Sequence, residues 1–122
     1  MKLKTKTAAQ TRVFGYALAE KVKNGGVICL YGPLGAGKTT LVQGLARGLG
    51  IKRRITSPTF IIVRKYGRFW HVDLYRLNSP EEIEALGLRE ILADKENIVA
   101  IEWPEKSDKI LPKGAIKVYL DR

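Results

Sequence analysis

Val27-Ile28-Cys29-Leu30-Tyr31-Gly32-Pro33-Leu34-Gly35-Ala36-Gly37-Lys38-Thr39 is an apolar run that breaks into glycines and ends on a lysine and a hydroxyl. The run at residues 27–31 reads as a short, buried, parallel strand. Residues 32–39 fit the pattern G-x-x-x-x-G-K-[ST]. Beyond them, Leu41, Val42, Leu45 and Leu49 make one apolar face of a helix over about 38–49, with Gly50 as its stop. Glycines let backbone N–H groups curl around a β-phosphate without Cβ clashes. The helix N-terminus adds partial positive charge. Lys38 can bridge β- and γ-oxygens, and the Thr39 hydroxyl is placed to ligate Mg²⁺. The expected nucleotide contacts are therefore Gly32, Leu34, Gly35, Ala36, Gly37, Lys38, Thr39 and Thr40. A chance glycine-rich turn is the bland alternative, and a strand running in with an amphipathic helix running out argues against it.

Working outward, Thr7-Ala8-Ala9-Gln10 reads as a capping box, followed by Val13, Phe14, Ala17, Leu18 and Val22 at helical spacing. Gly25-Gly26 ends that helix. On the other side, residues 60–66 and 68–75 read as two strands joined at Gly67. Ser79-Pro80-Glu81-Glu82 is a helix start, with Ser79 as cap, Pro80 at N1 and Glu82 completing the box. Ile83 and Leu86 give that helix its apolar side, and residues 88–92 continue it after Gly87. Residues 98–101 form a second buried strand, 104–114 a polar loop, and 115–120 a last strand alternating Ile116, Val118 and Leu120 with Lys117 and Tyr119. The order α-β-α-β-β-α-β-β predicts an α/β, three-layer sandwich of the P-loop NTPase kind with a mixed, partly parallel sheet. One domain over residues 1–122 is expected.

Composition narrows the function. Lys and Arg number 22 against 12 Asp and Glu, a balance of +10 that favours anionic partners: nucleotide, RNA or an acidic protein face. A solvated, lysine-rich surface is the alternative. No run of 18 apolar residues is present, and the N-terminus carries no apolar stretch behind its lysines, so neither a membrane span nor a secretory signal is expected. Cys29 is the single cysteine and lies in an apolar run, which fits an inert buried thiol. The cytoplasm is the expected compartment.

A phosphate loop also needs a carboxylate near the metal, usually at the end of an apolar strand. Ile98-Val99-Ala100-Ile101-Glu102 supplies four apolar residues and then an acid, which makes Glu102 the candidate second Mg²⁺ ligand beside Thr39. A strand-end Glu in solvent is the alternative. Asp73, inside Phe69-Trp70-His71-Val72-Asp73-Leu74-Tyr75-Arg76, is expensive unless paired or metal-linked, and could position an attacking water. A salt bridge to Arg76 or Lys38 would be its structural role. His71, beside two aromatics, reads as a packed, hydrogen-bonded residue rather than a catalyst. Thr59, in Ser57-Pro58-Thr59-Phe60, could sense a γ-phosphate, or simply form a turn. Trp103 follows Glu102 directly and so should lie near the nucleotide. Lys38, Asp73 and Glu102 are thus the catalytic candidates.

Guanine readers carry N/T-K-x-D late in the chain and D-x-x-G near the γ-phosphate. Glu105-Lys106-Ser107-Asp108 lacks Asn or Thr first, and Asp73-Leu74-Tyr75-Arg76 lacks glycine in the fourth place, so ATP is favoured over GTP. Gly32, Gly35, Gly37, Lys38 and Thr39 also suit a small-molecule kinase, but no arginine-rich lid segment is visible. A basic nucleic-acid module using the loop only as a switch is a third reading.

Leu34-Gly-Ala-Gly-Lys-Thr-Thr40, Thr56-Ser-Pro-Thr-Phe60, His71-Val-Asp-Leu-Tyr-Arg-Leu77, Pro80-Glu-Glu82 with Gly87-Leu88, and Ile101-Glu-Trp-Pro104 occur in this order. In that set the chain resembles, over nearly its whole length, the TsaE (YjeE) family of bacterial ATPases needed to make N6-threonylcarbamoyladenosine in tRNA. The phosphate loop alone is generic, whereas S-P-T-[FY], H-x-D-x-Y-R-L and E-W in sequence are highly specific. Pro33 stands where the family usually has Asp, and the C-terminus is short for the family. The resemblance implies that Thr39 and Glu102 ligate Mg²⁺, that Lys38 holds the phosphates of ATP or ADP, and that Asp73 is essential for turnover. It implies adenine against residues 5–11. It also implies an accessory motor that is weak alone and acts on a pair of partner proteins, the transferase TsaD and its companion TsaB, with tRNA met indirectly or directly.

Overall fold

The computed structural model describes residues 2–4, 7–33, 37–55 and 62–121. Along the chain run β1 (Lys2–Lys4), α1 (Ala8–Val22), β2 (Gly26–Tyr31), α2 (Lys38–Gly48), β3 (Val63–Tyr66), β4 (Phe69–Asp73), α3 (Pro80–Ala85), α4 (Leu88–Ala93), β5 (Ile98–Glu102), a 3-10 segment (Pro104–Ile110) and β6 (Ile116–Asp121). The strands form one sheet in the order β1-β6-β2-β5-β4-β3. Every neighbouring pair is parallel except the β3–β4 hairpin. The mixed, mostly parallel sheet is the one expected.

Alternation along the strands explains the three layers. Ile28 and Leu30 of β2, with Ile98 and Ala100 of β5, face a core shared with Leu18, Val22, Leu41 and Leu45 of α1 and α2. Val27 and Cys29, with Val99 and Ile101, face the opposite core, which holds Ile83, Leu88 and Ile91 of α3 and α4. Because both faces of β2 and β5 are covered, these strands read as continuous apolar runs.

Helix starts follow their sequence signals. Thr7 caps α1, its Oγ1 accepting from the Gln10 N–H at 3.1 Å. Ser79 caps α3 by accepting from the Glu82 N–H at 3.2 Å, while Glu82 Oε1 accepts from the Asn78 N–H at 2.9 Å. Gly37, at φ 97°, opens α2 in the left-handed region that a side chain rarely adopts.

Several expectations are corrected. The apolar stripe of α1 is rotated: Thr11, Gly15, Leu18, Ala19 and Val22 are buried, whereas Val13 is 69% exposed. The cause is backbone-to-backbone packing of α1 on α2. A Cβ on Gly15 would lie 2.1 Å from the Leu41 carbonyl oxygen, and one on Gly44 would lie 2.0 Å from that of Arg12. The segment expected as a polar loop over 104–114 is instead 3-10 turns over Pro104–Ile110, pinned by the buried Ser107 hydroxyl donating to the Pro104 carbonyl at 3.0 Å. Strand β1 was not expected at all. The strand expected over 68–75 stops at Asp73, where the Asp73 carboxylate accepts from the Tyr75 N–H at 3.0 Å and turns the chain. Among the described residues, no helix is long and apolar enough to cross a membrane.

Candidate nucleotide site

The site grows out of the C-terminal ends of β2, β5 and β4, the edge at which open α/β sheets place ligands. Strand β2 delivers Gly32, and α2 begins with Lys38, so the loop between them is anchored at both ends. Leu34, Gly35 and Ala36 lie outside the described residues, as does Thr59 with the rest of residues 56–61. Gly32, Gly37, Lys38, Thr39, Asp73, Glu102 and Trp103 are described, and so is Thr40, half-buried in the first turn of α2.

Parallel pairing of β2 with β5 sets Leu30 opposite Glu102, one residue short of the loop's approach. Pairing of β4 with β5 sets Asp73 opposite Glu102. The consequence is a compact polar cluster. The Thr39 hydroxyl donates to Glu102 Oε2 at 3.1 Å. His71 Nε2 lies 2.6 Å from the same oxygen. Glu102 is 4% exposed and His71 3%, so this carboxylate is held by two fixed partners rather than by solvent. His71 was expected to be packed and hydrogen-bonded. Its partner was not foreseen, although His and Asp two residues apart on β4 put two polar groups on one face of the strand, a signal for a shared site.

Lys38 is also buried. Its ammonium donates to the Gly32 carbonyl and sits 3.7 Å from the centroid of the Trp103 ring. Burial pulls its pKa down, while Glu102, Glu105 and Asp73 act in the opposite sense. The ring of Tyr75 packs on Trp103 at 5.1 Å. Trp103 itself adopts φ 60°, ψ 49°, the left-handed region, directly before Pro104, a conformation that costs free energy in a non-glycine residue. Asp73 is shifted up, by burial first, with Glu102 adding to the shift and the Tyr75 N–H opposing it. Lys38, one of the two ion-pair partners in the alternative reading of Asp73, is instead engaged by Gly32 and Trp103.

The donors suit a hard divalent cation. Thr39 and Glu102 offer adjacent oxygens from two different elements. That combination fits Mg²⁺, which typically takes one or two protein oxygens and completes its shell with phosphates and water. Near the loop, the Thr11 side chain comes within 3.6 Å of where a Cβ on Gly37 would stand, so the start of α1 borders the C-terminal end of the loop. Thr5 and Lys6 lie outside the described residues.

A phosphate-loop α/β protein is the class that this fold and this cluster define together. The sequence pattern of the family described as "Threonylcarbamoyl adenosine biosynthesis protein TsaE" matches residues 5–122, and the chain belongs to that family. It is 37% identical to the tRNA threonylcarbamoyladenosine biosynthesis protein TsaE of Treponema pallidum, over 98% of this chain and 90% of that protein. It is 42% identical to the protein of the same name from Haemophilus influenzae, over 78% of this chain. There the match spans 62% of the relative's length. The crystal structure of Bacillus subtilis YdiB superposes with a TM-score of 0.77 at 30% identity, covering 94% of this chain and 72% of that one.

Proposed function

We propose that the chain binds ATP with Mg²⁺ on residues 32–39, hydrolyses it slowly alone, and serves as an accessory ATPase in forming N6-threonylcarbamoyladenosine in tRNA. Its proposed partners are TsaD and TsaB, and its proposed compartment is the cytoplasm. A single domain over 1–122 is part of this reading. The observation that carries it is the meeting of Thr39 and Glu102 at 3.1 Å, from two different elements, inside a chain of the TsaE family.

Each side chain has a defined task in this reading. The backbone N–H groups of the loop and the start of α2 hold the phosphates. Lys38 leaves its place on Gly32 and Trp103 to bridge phosphate oxygens, and its release from that contact makes nucleotide binding felt at Trp103. Thr39 and Glu102 would hold Mg²⁺, and His71 keeps Glu102 aimed. Mg²⁺, when bound, neutralises charge developing on the phosphates. Asp73, with a raised pKa and a place opposite Glu102, accepts a proton from the attacking water or orients that water.

Steady-state ATP hydrolysis by the purified protein, alone and with the TsaB–TsaD pair, tests this. Low turnover alone that rises with the pair, and vanishes in Lys38→Ala and Glu102→Ala, is the expected result. Turnover indifferent to the pair, or tRNA modification unimpaired by both substitutions in a reconstituted assay, would sink the accessory role.

A further inference from the structure

Away from the phosphate loop, α1, the second half of α2 and residues 51–55 enclose a groove with a volume of about 1030 Å³. That is at the upper limit of small-molecule sites, about 300–1,000 Å³. Gly44 and Ala46 form part of its lining. The Gln43 amide donates to the Ile55 carbonyl at 3.0 Å and holds residues 51–55 in place as a wall.

The chemistry of the lining is one-sided. Arg12, Arg47, Lys52, Arg53 and Arg54 all border the groove, all are exposed, and no Asp or Glu does so among the described residues. Arg53 stacks over Tyr66, 4.9 Å from the ring centroid. None of the other four has an ion-pair partner among the described residues. Such a cluster repels itself and is stabilised by an anionic ligand. The rim carries Val13, which the rotation of α1 turned outward, and Tyr16; they are 69% and 61% exposed. Guanidinium groups outnumber the single ammonium. They are the groups that fork onto phosphate and stack on bases, and an exposed tyrosine offers a further stacking face.

We propose that this groove binds an unpaired RNA strand, through its phosphates on the arginines and through base stacking on Tyr16. A folded acidic protein would need a broad, flat contact, about 800 Å² on each partner, rather than a concave channel. The groove is not an outlier of the nucleotide site: Arg47 is nine residues along α2 from Lys38, about 13 Å of helix. The proposal therefore stands whether or not the loop hydrolyses ATP.

The test is fluorescence anisotropy of a labelled twelve-nucleotide unpaired RNA on the full chain, over a salt series, without nucleotide. Binding at low salt with a log–log salt slope of about −3.5 is expected if five phosphates are engaged. Arg47→Glu with Arg54→Glu should weaken binding more than tenfold and flatten the slope to about −2. Tyr16→Ala should weaken binding at every salt without changing the slope. Lys95→Glu with Lys113→Glu, exposed lysines outside the groove, should leave binding within twofold. Circular-dichroism melting and ATP titration should be unaltered in all variants, which separates this proposal from the phosphate-loop reading. Absence of RNA binding at low salt overturns it. So does equal weakening by the two charge-reversal pairs, which would mark diffuse attraction, or a preference for polyglutamate over RNA, which would mark an acidic protein partner. Single-stranded DNA bound as tightly as RNA, or more tightly, overturns the assignment to RNA.

Discussion

Glu102 is the residue on which the cluster turns. It accepts from Thr39 and is held by His71 with almost no solvent contact. Glu102→Ala strands the buried His71 ring, at about 1–3 kcal/mol when left unsatisfied, and the half-buried Thr39 hydroxyl, whereas Glu102→Gln keeps an acceptor there. Urea midpoints should therefore fall further for Ala than for Gln at equal m, while both lose hydrolysis. At the opposite core, Cys29 is fully buried and burial pushes its thiol up to about 11, with Asp108 adding and Lys117 opposing. The folded thiol binds its proton more tightly than the unfolded one. Its contribution to stability is complete below about pH 9 and is lost as pH rises through about 11. Native protein at pH 8 should resist a thiol reagent that modifies Cys29 at once in denaturant.

The pairing of α1 with α2 is the element-scale feature that sequence patterns hide. Gly44→Ala would gain about 1 kcal/mol of helix propensity. A Cβ 2.0 Å from the Arg12 carbonyl oxygen meets backbone that cannot swing aside, and overpacking of that kind costs about 1–3 kcal/mol. The clash wins, so Gly44→Ala should lower stability in a urea titration, while Gly114→Ala, with open space around it, should not. The strand and helix that flank residues 32–37 and the Glu102 strand were legible because their signals are local: a run, a break, a charge at a fixed spacing. The inward face of α1 was not. Apolar spacing pointed to Val13, but closest approach is decided by where Gly15 and Gly44 let each helix touch the other's backbone. Strand β1 was illegible for a related reason, since Lys2-Leu3-Lys4 offers one apolar residue and exists as a strand only through its pairing with β6. The contact between His71 and Glu102 depends on register across two strands, which no single segment contains.

For the whole molecule, ligand binding should appear as stability. If only the folded chain binds Mg²⁺·ATP, a ligand concentration of one hundred times Kd adds about 2.7 kcal/mol, or about 10 °C in melting temperature for a chain of this size. Differential scanning fluorimetry should show that rise in the native chain and lose it in Lys38→Ala. The balance of +10 charges is distributed unevenly, since five of the cations border one groove. Added salt should therefore affect RNA association far more than it affects the melting temperature.

The strand that carries the loop, β2, has β5 on one side and β6 on the other, and both are made some seventy or more residues later. On the ribosome, the nucleotide-binding strand thus emerges early and waits without neighbours until the last strands arrive. The sheet on which the phosphate loop stands is therefore completed late in synthesis, after β5 and β6 have been made.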